Sequence, residues 1–191
     1  MSGMRRIIVL GVGNTLLGDE GFGVHALRYL QQNYAWPDNV RFVDGGTLGL
    51  FLMAELMECD LAVILDVARG GCDPGTFYRI EPAEIMAGAA LRQSQHQTGI
   101  ADALMACELA GACPEVVIFA MEPFDMTTVQ IGLTAQASAR LPEFCARVAS
   151  ELRAFIAGQG SLDSVLAENH KTMLEQSRGK QAVAWRKPAA E

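Results

Sequence analysis

Lysine is nearly missing from this 191-residue chain: Lys171, Lys180 and Lys187 are the only three, all in the last stretch. With 22 acidic against 15 basic residues the formal net charge is −7. That balance disfavours nucleic-acid binding, which draws its affinity from phosphate neutralisation by Lys and Arg. Also missing is any Cys-x-x-Cys pair. The five cysteines, Cys59, Cys72, Cys107, Cys113 and Cys145, are odd in number, which argues against a disulfide framework and a structural zinc site and for reduced thiols that mostly pack. No apolar run reaches the ~18 residues of a transmembrane helix, although half the residues are hydrophobic and the mean hydropathy is +0.18. The apolar stretch after Arg5-Arg6 is cut short by Gly11 and Asn14, too soon for a signal peptide, so a cytoplasmic protein is expected. Neither Gly-x-Ser-x-Gly nor His-Glu-x-x-His occurs, which removes two familiar hydrolase signatures.

What is present begins with Ile7–Val12, an aliphatic run that ends in glycine-punctuated Gly11-Val12-Gly13-Asn14-Thr15-Leu16-Leu17-Gly18-Asp19-Glu20-Gly21-Phe22-Gly23. A strand, a turn and a helix over about Asp19–Asn33 open a βαβ unit. Further strands are expected at Val40–Val43, Leu61–Leu65, Thr76–Ile80 and Val116–Met121, with helices over Leu50–Met57, Gly99–Leu109 and Thr134–Ile156. Pro142 should mark a kink or boundary in the last of these. Leu61-Ala62-Val63-Ile64-Leu65 is apolar on both alternate faces, the pattern of a central parallel strand covered by helices. The fold class is therefore α/β, a three-layer sandwich with a mostly parallel sheet between helices.

Residues 1–160 hold 18 acidic and 10 basic side chains, net −8, whereas 161–191 hold 4 and 5, net +1. This shift, with the Gly158-Gln159-Gly160-Ser161 break, divides the chain into a domain over 1–157 and a tail over 158–191. The tail reads as one short helix over Ser164–Glu175 and disordered from Gly179 onward.

In an open α/β sheet, ligands collect beyond the carboxyl ends of the strands, where the connections reverse direction. Glu20 follows the first strand, Asp44 ends the second and Asp66 ends the third. If the first and third strands are neighbours, Glu20 and Asp66 face one crevice, and His96, just before a helix at the same edge, completes the group. Two carboxylates and an imidazole suit a divalent first-row cation with positions left for water or substrate. Asp19 reads better as the N-cap of the first helix. Asp44 is balanced between a site role and organising the Gly45-Gly46 turn, and His25, ~140° around the helix from Glu20, reads as a surface residue. A Cys72/His96 nucleophilic pair has no local support.

Gly11-Val12-Gly13 resembles the start of a dinucleotide fingerprint, with Asp44 at the ribose-binding position. The third glycine position is Leu16, too bulky for close helix packing, and Asp19 with Glu20 would crowd a pyrophosphate. Like charges ~4 Å apart repel by ~4 kcal/mol at an effective dielectric near 20, against the ~0.3–1 kcal/mol that a helix N-terminus offers an anion. Repulsion wins, and a cation site is the better reading.

The Gly11–Gly23 turn, Asp44-Gly45-Gly46-Thr47 with Gly49, Asp66 and His96-Gln97-Thr98-Gly99 together strongly resemble the nickel-iron hydrogenase maturation proteases, in register over about residues 5–157. The resemblance implies a twisted five-stranded sheet between helices. It also implies an endopeptidase that removes a C-terminal extension from the hydrogenase large-subunit precursor once nickel has been installed. Glu20, Asp66 and His96 match the family's metal-binding positions, and Asp44 its acidic turn position. Nickel is then substrate-borne and transient, there is no permanent cofactor, and a monomer suffices. A non-catalytic, chaperone-like factor that binds the same precursor is the alternative, and a nucleotide-binding α/β enzyme the weaker one.

Overall fold

The computed structural model describes residues 4–47, 52–80, 95–112 and 114–158, and of residues 95–98 only the backbone. Gly49, the segment 81–94, Cys113 and the tail from residue 159, with its expected helix, lie outside the described residues. The elements are β1 (Ile7–Val12), α1 (Phe22–Asn33), β2 (Val40–Gly46), α2 (Met53–Met57), β3 (Leu61–Val67), β4 (Phe77–Ile80), α3 (Gln95–Leu109), β5 (Glu115–Met121) and α4 (Ala135–Ile156).

The five strands form one sheet in the order β2-β1-β3-β5-β4. Its first three pairings are parallel, and β4 runs antiparallel to β5 at the edge. The mostly parallel α/β sandwich expected from the alternating strands and helices is the one observed. β1 and β3 are neighbours, in register from Ile7↔Leu61 to Gly11↔Leu65, and the connections leave them in opposite directions, so the switch point lies between their carboxyl ends.

The sheet is buried on both faces. On one, Ile7, Val9, Leu61, Val63, Leu65, Val117 and Phe119 pack with Leu27 and Leu30 of α1 and Phe144, Val148 and Leu152 of α4. On the other, Ile8, Leu10, Ala62, Ile64 and Ile118 meet Leu56 of α2 and Ile100, Ala103 and Cys107 of α3. Every residue of β3 is buried, as its unbroken apolar run requires. β4 lies at an edge but is also mostly buried, since Phe77 edges onto Phe144 with ring centroids 5.3 Å apart.

Several boundaries differ from the sequence reading. β2 continues through Gly46, which places Asp44 inside the strand, and Asp66 is followed in β3 by Val67. α4 runs unbroken with Pro142 inside it, at the loss of one backbone hydrogen bond. α3 begins at Gln95 and not at Gly99, so His96 belongs to its first turn instead of lying just before the helix.

Candidate active site

The turn after β1 is long and tightly held. The Asn14 side chain accepts from Leu16 N–H at 3.0 Å, and Gly18–Gly21 closes as a 3-10 turn with α1 starting only at Phe22. Two glycines make this packing possible. A Cβ at Gly23 would lie 2.1 Å from the Leu65 carbonyl and 2.4 Å from that of Val12, and one at Gly13 would lie 1.9 Å from the Glu20 carbonyl. The start of α1 therefore sits directly on the carboxyl ends of β1 and β3, a distance only glycine allows. Leu16, expected to block close helix packing, is instead 56% exposed, and the residue set against the strand-end carbonyls is Gly23.

Asp66 is fully buried at that edge, one oxygen accepting from Val67 N–H at 2.8 Å. Its Oδ2 is buried with no hydrogen-bond partner among the described residues. Burial first, with a smaller push from the nearby Glu20 charge and against the lowering effect of the Val67 bond, holds the Asp66 carboxyl up at about 8. Glu20 is itself buried. The structure thus brings Glu20 and Asp66 together, as the sequence reading required. A buried carboxylate oxygen with no donor is costly, and a second carboxylate beside it makes a cation the group that would satisfy both.

His96 approaches from the same face. The 15 residues of α3 span about 22 Å, and the seven of β5 about 23 Å. β5 starts level with the beginning of β3, Leu61↔Glu115. α3 precedes β5 and packs on the Ile64 and Ala68 side of the sheet, so its first turn stands at the carboxyl edge. The His96 side chain lies outside the described residues, and among those described no group of three His, Cys, Asp or Glu is close enough to hold a metal.

Asp44 stands apart from the pair. Its carboxylate accepts from Arg28 of α1 at 3.0 Å and from Gly46 N–H at 3.1 Å, on the α1 side of the sheet, opposite the face toward which Asp66 alternates with Ile64 and Ala68. It fixes the backbone at the end of β2 through Gly46, so the local organising role expected for it is present within the strand and not in a turn.

Asp19 does not cap α1, whose N-cap is Gly21 without a side-chain bond. It is fully buried and reaches across the chain. Its Oδ2 accepts from Phe124 N–H at 3.0 Å, Asp125 N–H at 3.1 Å and the Thr134 hydroxyl at 3.1 Å, and its Oδ1 from Thr134 N–H at 2.9 Å. Thr134 in turn caps α4 by accepting from Ala137 N–H. A local pattern predicts a cap, but the donors come from more than 100 residues away. His25 is half-buried and not a surface residue, its Nε2 enclosed, and burial followed by the Arg28 charge lowers its pKa.

Glu122 went unnoticed in the sequence. Buried just past β5, it accepts from the Tyr78 hydroxyl and, at 2.8 Å, from Gly70 N–H, anchoring the segment that follows Asp66 and β3. The available signal was the same as for Asp66, an acid closing an apolar strand. Tyr78 is raised by burial, by Glu122 and by a hydrogen bond with Cys72, so the Cys72 thiol meets a phenol.

A family model for hydrogenase maturation proteases matches residues 24–151. The chain belongs to this family. It is 41% identical over 123 residues to the hydrogenase expression/formation protein HupD of Bradyrhizobium diazoefficiens, covering 63% of this chain and 64% of that one. To the hydrogenase 2 maturation protease of Escherichia coli it is 35% identical over 149 residues, covering 78% and 91%. The solved structure of the E. coli hydrogenase maturating endopeptidase HybD superposes with a TM-score of 0.72 at 35% identity, over 78% of this chain and 92% of that chain. The family model begins at Val24, so the turn that carries Glu20 lies just before the matched residues.

Proposed function

We propose that this member of the maturation-protease family is an endopeptidase that removes the C-terminal extension of a nickel-iron hydrogenase large-subunit precursor after nickel insertion. The observation that carries this reading is the buried Glu20–Asp66 pair at the switch point, with Asp66 Oδ2 unpartnered. Such a pair is poised for a cation presented from outside. Nickel held by the precursor is then part of the substrate, touched by Glu20, Asp66 and His96, and the protease keeps no permanent cofactor. Contact registers the scissile bond and reports that metal is present. Engagement also displaces the proton that Asp66 holds. Asp44 supports the site from a distance, holding the end of β2 through Gly46 and α1 through Arg28.

We place its action in the cytoplasm, as a monomer; no helix among the described residues is long and apolar enough to cross a membrane. The test mixes the full chain with nickel-loaded and nickel-free precursor, without nucleotide, and follows the C-terminal cut by mass spectrometry. Cleavage of the loaded form alone is expected. No cleavage of the loaded form would favour the non-catalytic factor, and equal cleavage of both forms would end the nickel-reading role.

A further inference from the structure

Three of the most exposed large apolar residues lie beside the Glu20 turn: Leu16 at 56%, Val129 at 82% and Ile131 at 85%. They are not scattered. Leu17 and Gln130 form a parallel bridge, with Gly18 N–H donating to Gln130 O at 2.9 Å, Gln130 N–H to Leu16 O at 3.2 Å and Gly132 N–H to Thr15 O at 3.3 Å. This register sets Leu16 opposite Val129, and Ile131 follows Gln130 in the bend that Gly132 N–H closes back onto Thr15 O, so all three lie on the same short stretch. The short ribbon is pinned to the Glu20 turn by Asp19 N–H donating to Asp125 O and by the Asp19 carboxylate, which holds Phe124, Asp125 and Thr134. Its backbone is thus highly organised, while its apolar side chains face water.

We infer that Leu16, Val129 and Ile131 form a docking platform for an apolar, extended segment of the precursor that flanks the nickel-presenting residues. This rests on the protease reading of the site. The platform is continuous with the turn that carries Glu20, so a segment seated on it enters the crevice at a set distance from the carboxylate pair. A second copy of the chain is the poorer occupant: a stable dimer buries about 1,200–2,000 Å², more than three side chains supply, and a copy placed here would obstruct the approach to Glu20.

The test compares wild-type full chain with V129S/I131S and with L16S, neutral changes that leave the charge around Glu20 and Asp66 alone. L109S serves as the control, since Leu109 is 85% exposed at the far end of α3. Steady-state cleavage of nickel-loaded precursor is expected to show KM raised about tenfold or more in V129S/I131S, with kcat and melting temperature near wild type and L109S unchanged. Unchanged KM would overturn the platform, as would a fall in kcat at unaltered KM, which would mean that the ribbon only supports the site. Wild-type self-association lost in V129S/I131S with normal processing would make the patch a self-interface and also overturn it. If wild type does not cleave, the protease reading fails, and calorimetric binding of the same precursor to the same variants still decides the platform: weaker binding by V129S/I131S sustains it and equal binding removes it.

Discussion

Replacing Asp19 tests whether the turn that carries Glu20 is held by long-range hydrogen bonding. The carboxylate accepts four hydrogen bonds, from three backbone N–H groups and one hydroxyl, with no exposure to water. D19A strands all four donors. Hydrogen bonds to a charged group contribute about 1.5–3 kcal/mol each, but they share one acceptor group and do not add, so the expected loss is about 3–5 kcal/mol. For a domain of this size 1 kcal/mol shifts the melting temperature by about 2–4 °C, which gives a drop of roughly 6–20 °C. D19N keeps an acceptor for Phe124, Asp125 and the Thr134 hydroxyl but turns its NH2 toward Thr134 N–H. It should fall between D19A and wild type, at about 2–3 kcal/mol. Thermal and urea unfolding of the three proteins measure this. A D19A melting temperature within about 2 °C of wild type would refute the reasoning, because such a small change corresponds to about 0.5–1 kcal/mol, well short of the expected loss.

Asp66 links stability to pH with a definite sign. Its folded pKa, about 8, lies above the ordinary aspartate value of 3.8, so the folded state holds a proton that the unfolded state has lost between those values. This contribution is fully present below about pH 4 and is lost as pH rises to about 8, at no more than about 1.4 kcal/mol per pH unit. Relative to D66N, wild type should therefore lose stability between pH 5 and 8, and parallel pH profiles of the two would contradict the assignment. E20Q removes the neighbouring charge and should lower the Asp66 pKa without lowering the melting temperature, as read by carboxyl NMR titration. E20Q and H96A should each reduce precursor processing by on the order of 100-fold with folding intact; normal cleavage by either would remove that residue from the proposed site. G23A places a Cβ against the Leu65 and Val12 carbonyls and should cost about 1–3 kcal/mol or more with loss of processing, whereas a normal melting temperature would mean that α1 does not sit on the strand ends as described.

The sheet was legible in the sequence because its evidence is local. Strands that are apolar on both faces, such as Leu61–Leu65, must lie between two helical layers, and a mostly parallel layout follows from alternating elements and short connections, whereas the adjacency of β1 and β3, only a condition in the sequence, is set by the fold. The site was legible in part for the same reason: Asp66 is a carboxylate closing an apolar strand, and Glu20 follows a glycine turn that can bring it to the same edge. Glu122 carries the signal of Asp66 but ends a strand whose neighbour, the antiparallel β4, could not be placed from the chain order.

The sequence by itself determined the layers, the identity of the central strands, the family turn and three acids, Glu20, Asp44 and Asp66, at or just past strand ends, since each depends on periodicity or motif within a few residues. Tertiary structure decided what each acid is doing. Asp19 and Asp66 both look like acids at the edge of an apolar element, yet one is saturated by donors from more than 100 residues downstream and the other is left with a bare oxygen. Asp44 faces Arg28 across the sheet from Asp66. Hydrogen-bond satisfaction depends on which loops fold back over a residue, and that is a property of the packed chain.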